Sequence, residues 1–169
     1  MDAFNLGLLI LRVVTGLVVA AHGYQKVFLG GKLAGTGRWF DSMGLRPGWF
    51  HARLAASTEL GCGVALAAGF LTPFAAAGIV GVMTVAWITS HRKNGFYIFR
   101  PGQGWEYVFV LLIVATSLGT MGAGEWSVDH AMGFRLDGGW GLLVSLAGGA
   151  GTALLMLAAM WRPPKEAAA

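Results

Sequence analysis

Five long apolar runs, separated by short polar stretches, limit what this chain can fold into. A bilayer core about 30 Å thick is crossed by roughly 20 helical residues, and backbone facing lipid has to satisfy its own hydrogen bonds. The runs therefore predict transmembrane helices near Asn5–Val27, Arg53–Leu71, Pro73–Ser90, Glu106–Met121 and Gly139–Trp161. Residues 1–169 then form one domain, an all-α polytopic membrane helix bundle.

Composition agrees. Hydrophobic residues make up 56% and charged residues 12%, against about 25% charged in a typical soluble domain. So little charge does not cover a water-facing surface. The net charge of +4 comes from residues lying between the apolar runs and not from a basic stripe, which argues against nucleic acid as a partner. The single cysteine, Cys62, lies in an apolar stretch and has no second thiol to pair with in the chain. The first run lacks the basic residues that precede a secretory signal and is interrupted by Arg12, so it reads as a retained helix.

The connections carry the orientation signal. Only Thr72–Pro73 separates the second run from the third, so these two helices are antiparallel neighbours, with proline where its missing N–H costs nothing. The long connection 28–52 alternates charged and aromatic residues over Gly37–Met43, the pattern of a short helix in the membrane interface. Lys26, Lys32, Arg38, Arg46, Arg53, Arg92, Lys93, Arg100, Arg162 and Lys165 all fall on one side, whereas the other side has Arg135 alone. Cytoplasmic loops are enriched in Lys and Arg. The expected topology is an outside N-terminus and a cytoplasmic C-terminus in a bacterial inner membrane. Small residues at Gly61/Gly63, Gly78/Gly81 and Gly148/Gly149/Gly151 predict close helix packing.

An ionisable side chain at mid-membrane costs about 2.5–3.5 kcal/mol, so each one requires a partner or a purpose. Arg12, His22 and Glu59 are of this kind. Glu59 shares a helix face with Ala55, Ala56, Cys62 and Gly63, which directs it to a packed interface. It lies about 9 Å along its helix from Arg53, near the level of His22, whereas Arg12 is about 15 Å away from His22. His22 or Lys26 is therefore favoured over Arg12 as its partner. Such a group either relays protons or only locks two helices together.

A second group gathers at the same level: His91, Phe96, Tyr97, Trp105, Glu106 and Tyr107. Its aromatics form either an interfacial belt or the wall of a pocket. In the second case His22, Lys26, Glu59, His91 and Glu106 supply the polar groups, and Phe96, Tyr97, Trp105 and Tyr107 contact a flat ligand such as a quinone. The four histidines are scattered, so no metal site is expected, and no nucleophilic triad or phosphate-binding glycine loop is present.

Several stretches together resemble the DoxX family of small bacterial membrane proteins. They are HGYQKVF at 22–28, MGLRP at 43–47, STELGCGVALAAGFLTP at 57–73, GVMTVAW at 81–87, HRKNGFY at 91–97, GWEY at 104–107 and GAGEWSVD at 122–129. The resemblance implies a four-helix core and an association with redox metabolism, including subunits of thiosulfate:quinone oxidoreductase and of oxidant-defence assemblies. Its pattern marks His22, Gly23, Lys26, Glu59, Gly95 and Glu106. Glu125 stands where the family is often basic, and Gly139–Trp161 adds a fifth, C-terminal transmembrane helix.

The leading expectation is a membrane subunit of a quinone-linked redox assembly that contacts quinone or anchors partner subunits. The alternatives are a non-catalytic scaffold or accessory subunit and, third, a small transporter. No side chain here carries two electrons by itself, so any oxidoreductase activity requires a flavin, haem or metal held by other subunits.

Overall fold

A computed structural model describes residues 2–164, so Lys165 of the basic tail lies outside the described residues. The fold is all-α: α1 is Ala3–Phe28, α2 Lys32–Ser42, α3 Gly48–Ala68, α4 Thr72–His91, α5 Glu106–Met121, α6 Val128–Ala131 and α7 Gly138–Met160. Among the described residues the extended backbone amounts to one isolated bridge between Leu45 and Trp161. The last turns of α4 (Trp87–His91) and the middle of α7 (Leu143–Gly148) are π-helical.

Three helices, α1, α4 and α7, are long and apolar enough to cross a membrane. At 16 residues α5 is apolar but shorter, and the polar residues of α3 dilute its hydropathy below that class. Large apolar side chains such as Ile10, Val14, Leu17, Leu154 and Leu155 are exposed on the outside of the bundle. A surface of this kind is stable against acyl chains and not against water, as expected of a multi-pass membrane protein.

Burial on α1 follows Asn5, Leu8, Arg12, Thr15, Gly16, Val19, Ala20 and Gly23, the three-and-four spacing of one helix face. That face packs on α3. A Cβ on Gly16 would strike the Gly63 carbonyl, and one on Gly23 would lie 2.7 Å from the Leu60 nitrogen, so glycine sets how closely these helices approach. Of the small residues expected at interfaces, Gly63, Gly78 and Gly149 meet a neighbouring helix, whereas Gly61 and Gly151 face open space.

Helix α4 is the hub. Ala75, Ala76, Ile79, Val80 and Met83 fill the core between α3, α5 and α7. Helices α3 and α7 flank α4 without packing extensively on each other, which leaves a groove between them.

The ends differ from the expected bounds for local reasons. Helix α3 begins at Gly48, five residues before Arg53, because Asp41 Oδ1 accepts from the Gly48 nitrogen at 2.7 Å and holds the chain at its first turn. It ends at Ala68, since Gly69 (φ +66°) and Leu71 (φ +46°) turn the chain with left-handed backbone. The short helix expected over Gly37–Met43 is longer and spans Lys32–Ser42, with Phe40 buried against α3. The C-terminal end of α7 is tied to this segment: Trp161 Nε1 donates to the Met43 carbonyl and the Arg162 nitrogen to the Gly44 carbonyl, both at 2.9 Å.

Candidate functional site

Gly23 builds the site. Its lack of a side chain brings the last turn of α1 against α3, and Lys26, one turn on, then reaches Glu59. The Lys26 ammonium donates to both carboxylate oxygens, at 2.8 and 2.7 Å. The Glu59 side chain is 4% exposed and that of Lys26 19%, so the carboxylate of this ion pair is buried and the ammonium half-buried. One turn earlier His22 turns toward α5, where its Nε2 lies 2.9 Å from the Tyr107 hydroxyl. Glu59 is therefore bonded to Lys26 and not to His22.

These side chains border a cavity of about 1000 Å3, which takes in the groove between α3 and α7 over α4. Its α4 wall runs from Phe74 through Ala77, Gly78, Gly81, Val82 and Val85 to Thr89, Ser90 and His91, about 25 Å of helix. The polar groups gather at the His91 end, and the rest is lined by apolar side chains, with Val144, Gly148 and Met156 from α7 forming one side. Both π-helical segments contribute lining residues, and π-bulges recur at functional sites because they re-aim side chains without ending a helix.

Of the expected polar residues, His22, Lys26, Glu59 and His91 line this cavity and Glu106 does not. Glu106 Oε2 instead accepts from the Ile98 nitrogen at 3.1 Å and holds the 92–105 loop in place. Of the expected aromatic contacts only Tyr107 faces the cavity. Phe96, Tyr97 and Trp105 are turned away because the loop closes on itself. The Gly104 nitrogen donates to the Tyr97 carbonyl, Trp105 to Gly95 and Glu106 to Phe96. Trp105 then packs with Phe96, Trp87 and Phe109, while Tyr97 stacks on Phe99. Ile98 and Gln103 line the cavity from this loop in their place. His91 is fixed by a 2.9 Å contact between Nδ1 and the Gln103 carbonyl, and Asn94 Nδ2 donates to the carbonyls of Ser90, Gly102 and Gln103.

Arg12 belongs to a different part of the molecule. It is 1% exposed and donates to the carbonyls of Ala123 and Trp126, with Asp129 nearby. Asp129 accepts from the nitrogens of Leu71 and Thr72 at 2.7 and 2.9 Å and so caps α4. A further histidine of the cavity wall is not among the expected site residues: His51, 3% exposed, whose Nε2 is buried with no hydrogen-bond partner among the described residues. The sequence signal for it was a histidine one and two turns before Ala55 and Glu59, near one face of the same helix.

The matched residues decide the family: the DoxX family model covers residues 7–92. This chain belongs to the DoxX family. The chain is also 33% identical over 129 residues to a Bacillus subtilis (strain 168) protein named "Putative oxidoreductase CatD", an overlap of 75% of this chain and 87% of that protein. No solved structure matches the chain significantly. The DoxX segment carries His22, Lys26, His51, Glu59 and His91, whereas Tyr107 and the whole of α7 come from beyond it. Among the described residues no three His, Cys, Asp or Glu side chains are grouped to hold a metal. Chemically the site offers an ammonium–carboxylate pair and an imidazole–phenol pair, which hold a polar head by hydrogen bonds and move protons, but carry no electrons.

Proposed function

We propose that this DoxX protein is an inner-membrane subunit that binds an isoprenoid quinone for a redox assembly. One observation carries the reading: a cavity of about 1000 Å3 with a buried carboxylate and its ammonium partner at one end and an apolar groove along α4. That shape suits an amphiphile with a compact polar head and a long apolar tail. The head would meet Lys26, Glu59, His22 and Tyr107, and the tail would lie between α3 and α7, where it exchanges with the bilayer. Catalytic electron transfer requires a flavin, haem or metal on a partner subunit, to which this chain presents the quinone. In this reading α3 and α5 cross the membrane together with α1, α4 and α7. The basic loops favour an orientation with the polar end of the cavity near the cytoplasmic face and the N-terminus outside.

Gentle detergent extraction followed by lipid analysis tests it. The purified chain is expected to retain quinone in stoichiometric amount, and Glu59→Gln to lose it while remaining folded. A wild-type chain that carries no quinone and takes up none when it is supplied would overturn the reading and leave a membrane anchor.

A further inference from the structure

Helix α2 packs on the first turns of α3, and between them lies a second, smaller pocket of about 270 Å3. Its lining includes Leu33, Gly37, Arg38 and Asp41 from α2 and Trp49 and Arg53 from α3, and it shares no lining residue with the larger cavity. The two helices meet through glycines: a Cβ on Gly48 would strike the Gly37 carbonyl, and one on Gly37 would lie 3.3 Å from the Trp49 Cα. That approach brings Arg38 and Arg53, both exposed, to one pocket from two helices. The Arg53 guanidinium lies 5.4 Å from the centre of the Trp49 ring and donates to the Trp49 carbonyl at 3.2 Å. Most of its five N–H donors are left unused. Arg38 has no hydrogen bond or ion pair among the described residues. Asp41 is the one carboxylate of the lining, and its Oδ1 already accepts from the Gly48 nitrogen at 2.7 Å. Two guanidiniums against one carboxylate leave the pocket with an excess of one positive charge.

We infer that this pocket binds the phosphodiester headgroup of an anionic phospholipid. Charge and donor geometry carry the assignment. A phosphodiester has one negative charge and two free oxygens, and a guanidinium offers paired donors that fit them, here one from each helix. The second oxygen of Asp41 is then placed to accept from a headgroup hydroxyl, as a glycerol headgroup supplies. Exposed apolar side chains adjoin both arginines in the chain: Trp39 next to Arg38, and Trp49, Phe50 and Leu54 around Arg53. Tryptophan and basic residues at the end of an apolar helix mark the membrane interface, where basic pockets between helices hold anionic headgroups. The headgroup would meet the arginines there while the acyl chains run along the exposed face of α3. This site does not depend on the reading of the larger cavity.

Native mass spectrometry of the full chain in detergent tests it, with phosphatidylglycerol, phosphatidylcholine and phosphatidylethanolamine of the same acyl chains titrated in turn. The wild type is expected to bind phosphatidylglycerol about tenfold more tightly than either zwitterionic lipid. Combining Arg38→Gln with Arg53→Gln is expected to bring that ratio close to one. A measurement on the unaltered protein covers the case in which the double variant does not fold. Phosphatidylglycerol with a photoreactive group on its glycerol headgroup is expected to label the peptides that contain Arg38 and Trp49. Equal binding of the three lipids, a ratio unchanged in the double variant, or labelling confined to other peptides overturns the inference. Inorganic phosphate that displaces phosphatidylglycerol at equal concentration would make this a site for a free anion and overturn the assignment to lipid.

Discussion

Arg12 and Glu59 are both charged side chains buried in the bundle, at opposite ends of the α1–α3 contact, and their surroundings differ in kind. Arg12 donates to two backbone carbonyls of the 122–127 segment and lies near the carboxylate that caps α4, and it does not line the cavity. Glu59 is held by a single side chain, Lys26, and that pair borders about 1000 Å3 of space. A buried charge is therefore not by itself a mark of function. What separates the two is whether the partner groups are backbone that the fold needs, or side chains grouped around a volume that a ligand can enter.

Substitutions at the two ends should separate along the same line. Arg12→Leu is expected to have the largest effect, because two carbonyls lose their donor at a cost of about 1–3 kcal/mol each. Its partners are backbone carbonyls of Ala123 and Trp126, which no second substitution can remove. Thermal unfolding in detergent reads this, and a loss smaller than that of any substitution at Glu59 would remove the contrast. Lys26→Met leaves Glu59 unpaired and is expected to cost about 1–3 kcal/mol. Adding Glu59→Gln should recover most of that stability without restoring quinone binding, because both partners of this pair are side chains. A double variant no more stable than Lys26→Met would make the pair's role the same as that of Arg12.

Smaller effects sharpen the comparison. Asp129→Ala removes the cap on the nitrogens of Leu71 and Thr72 and is expected to cost about 1 kcal/mol with quinone affinity unchanged. Glu106→Gln, at a carboxylate that accepts from the Ile98 nitrogen and does not line the cavity, should shift stability by no more than about 0.5 kcal/mol and leave binding as in the wild type. A tenfold loss of binding in Glu106→Gln would return that carboxylate to the site.

What the sequence made legible was what lies within one helix or one short connection. The apolar runs located the long helices, Thr72–Pro73 located the turn before α4, and depth along α1 and α3 narrowed the partner of Glu59 to His22 or Lys26, of which the structure shows Lys26. Periodicity gives a face but not the neighbour on it, which is why Arg12's partners on a segment more than a hundred residues away were not visible. The aromatics of the 92–105 loop were grouped correctly as neighbours, but the sense in which they turn depends on backbone bonds that composition does not encode. His51 escaped notice because an unmatched ring nitrogen is a property of the packed site and not of a residue type. The groove itself arises from α3 and α7 flanking α4, an arrangement fixed only once α7 has docked.

Photoaffinity labelling tests the central claim most directly, with a quinone carrying an azido group on its ring, reconstituted with the full chain in a bilayer and followed by peptide mapping. The account predicts ring labelling confined to peptides that contain Glu59, His91 and Tyr107, suppressed by excess unlabelled quinone and absent in Glu59→Gln. Labelling spread over the lipid-facing side chains of α1 and α7, insensitive to competitor and to Glu59→Gln, would contradict it.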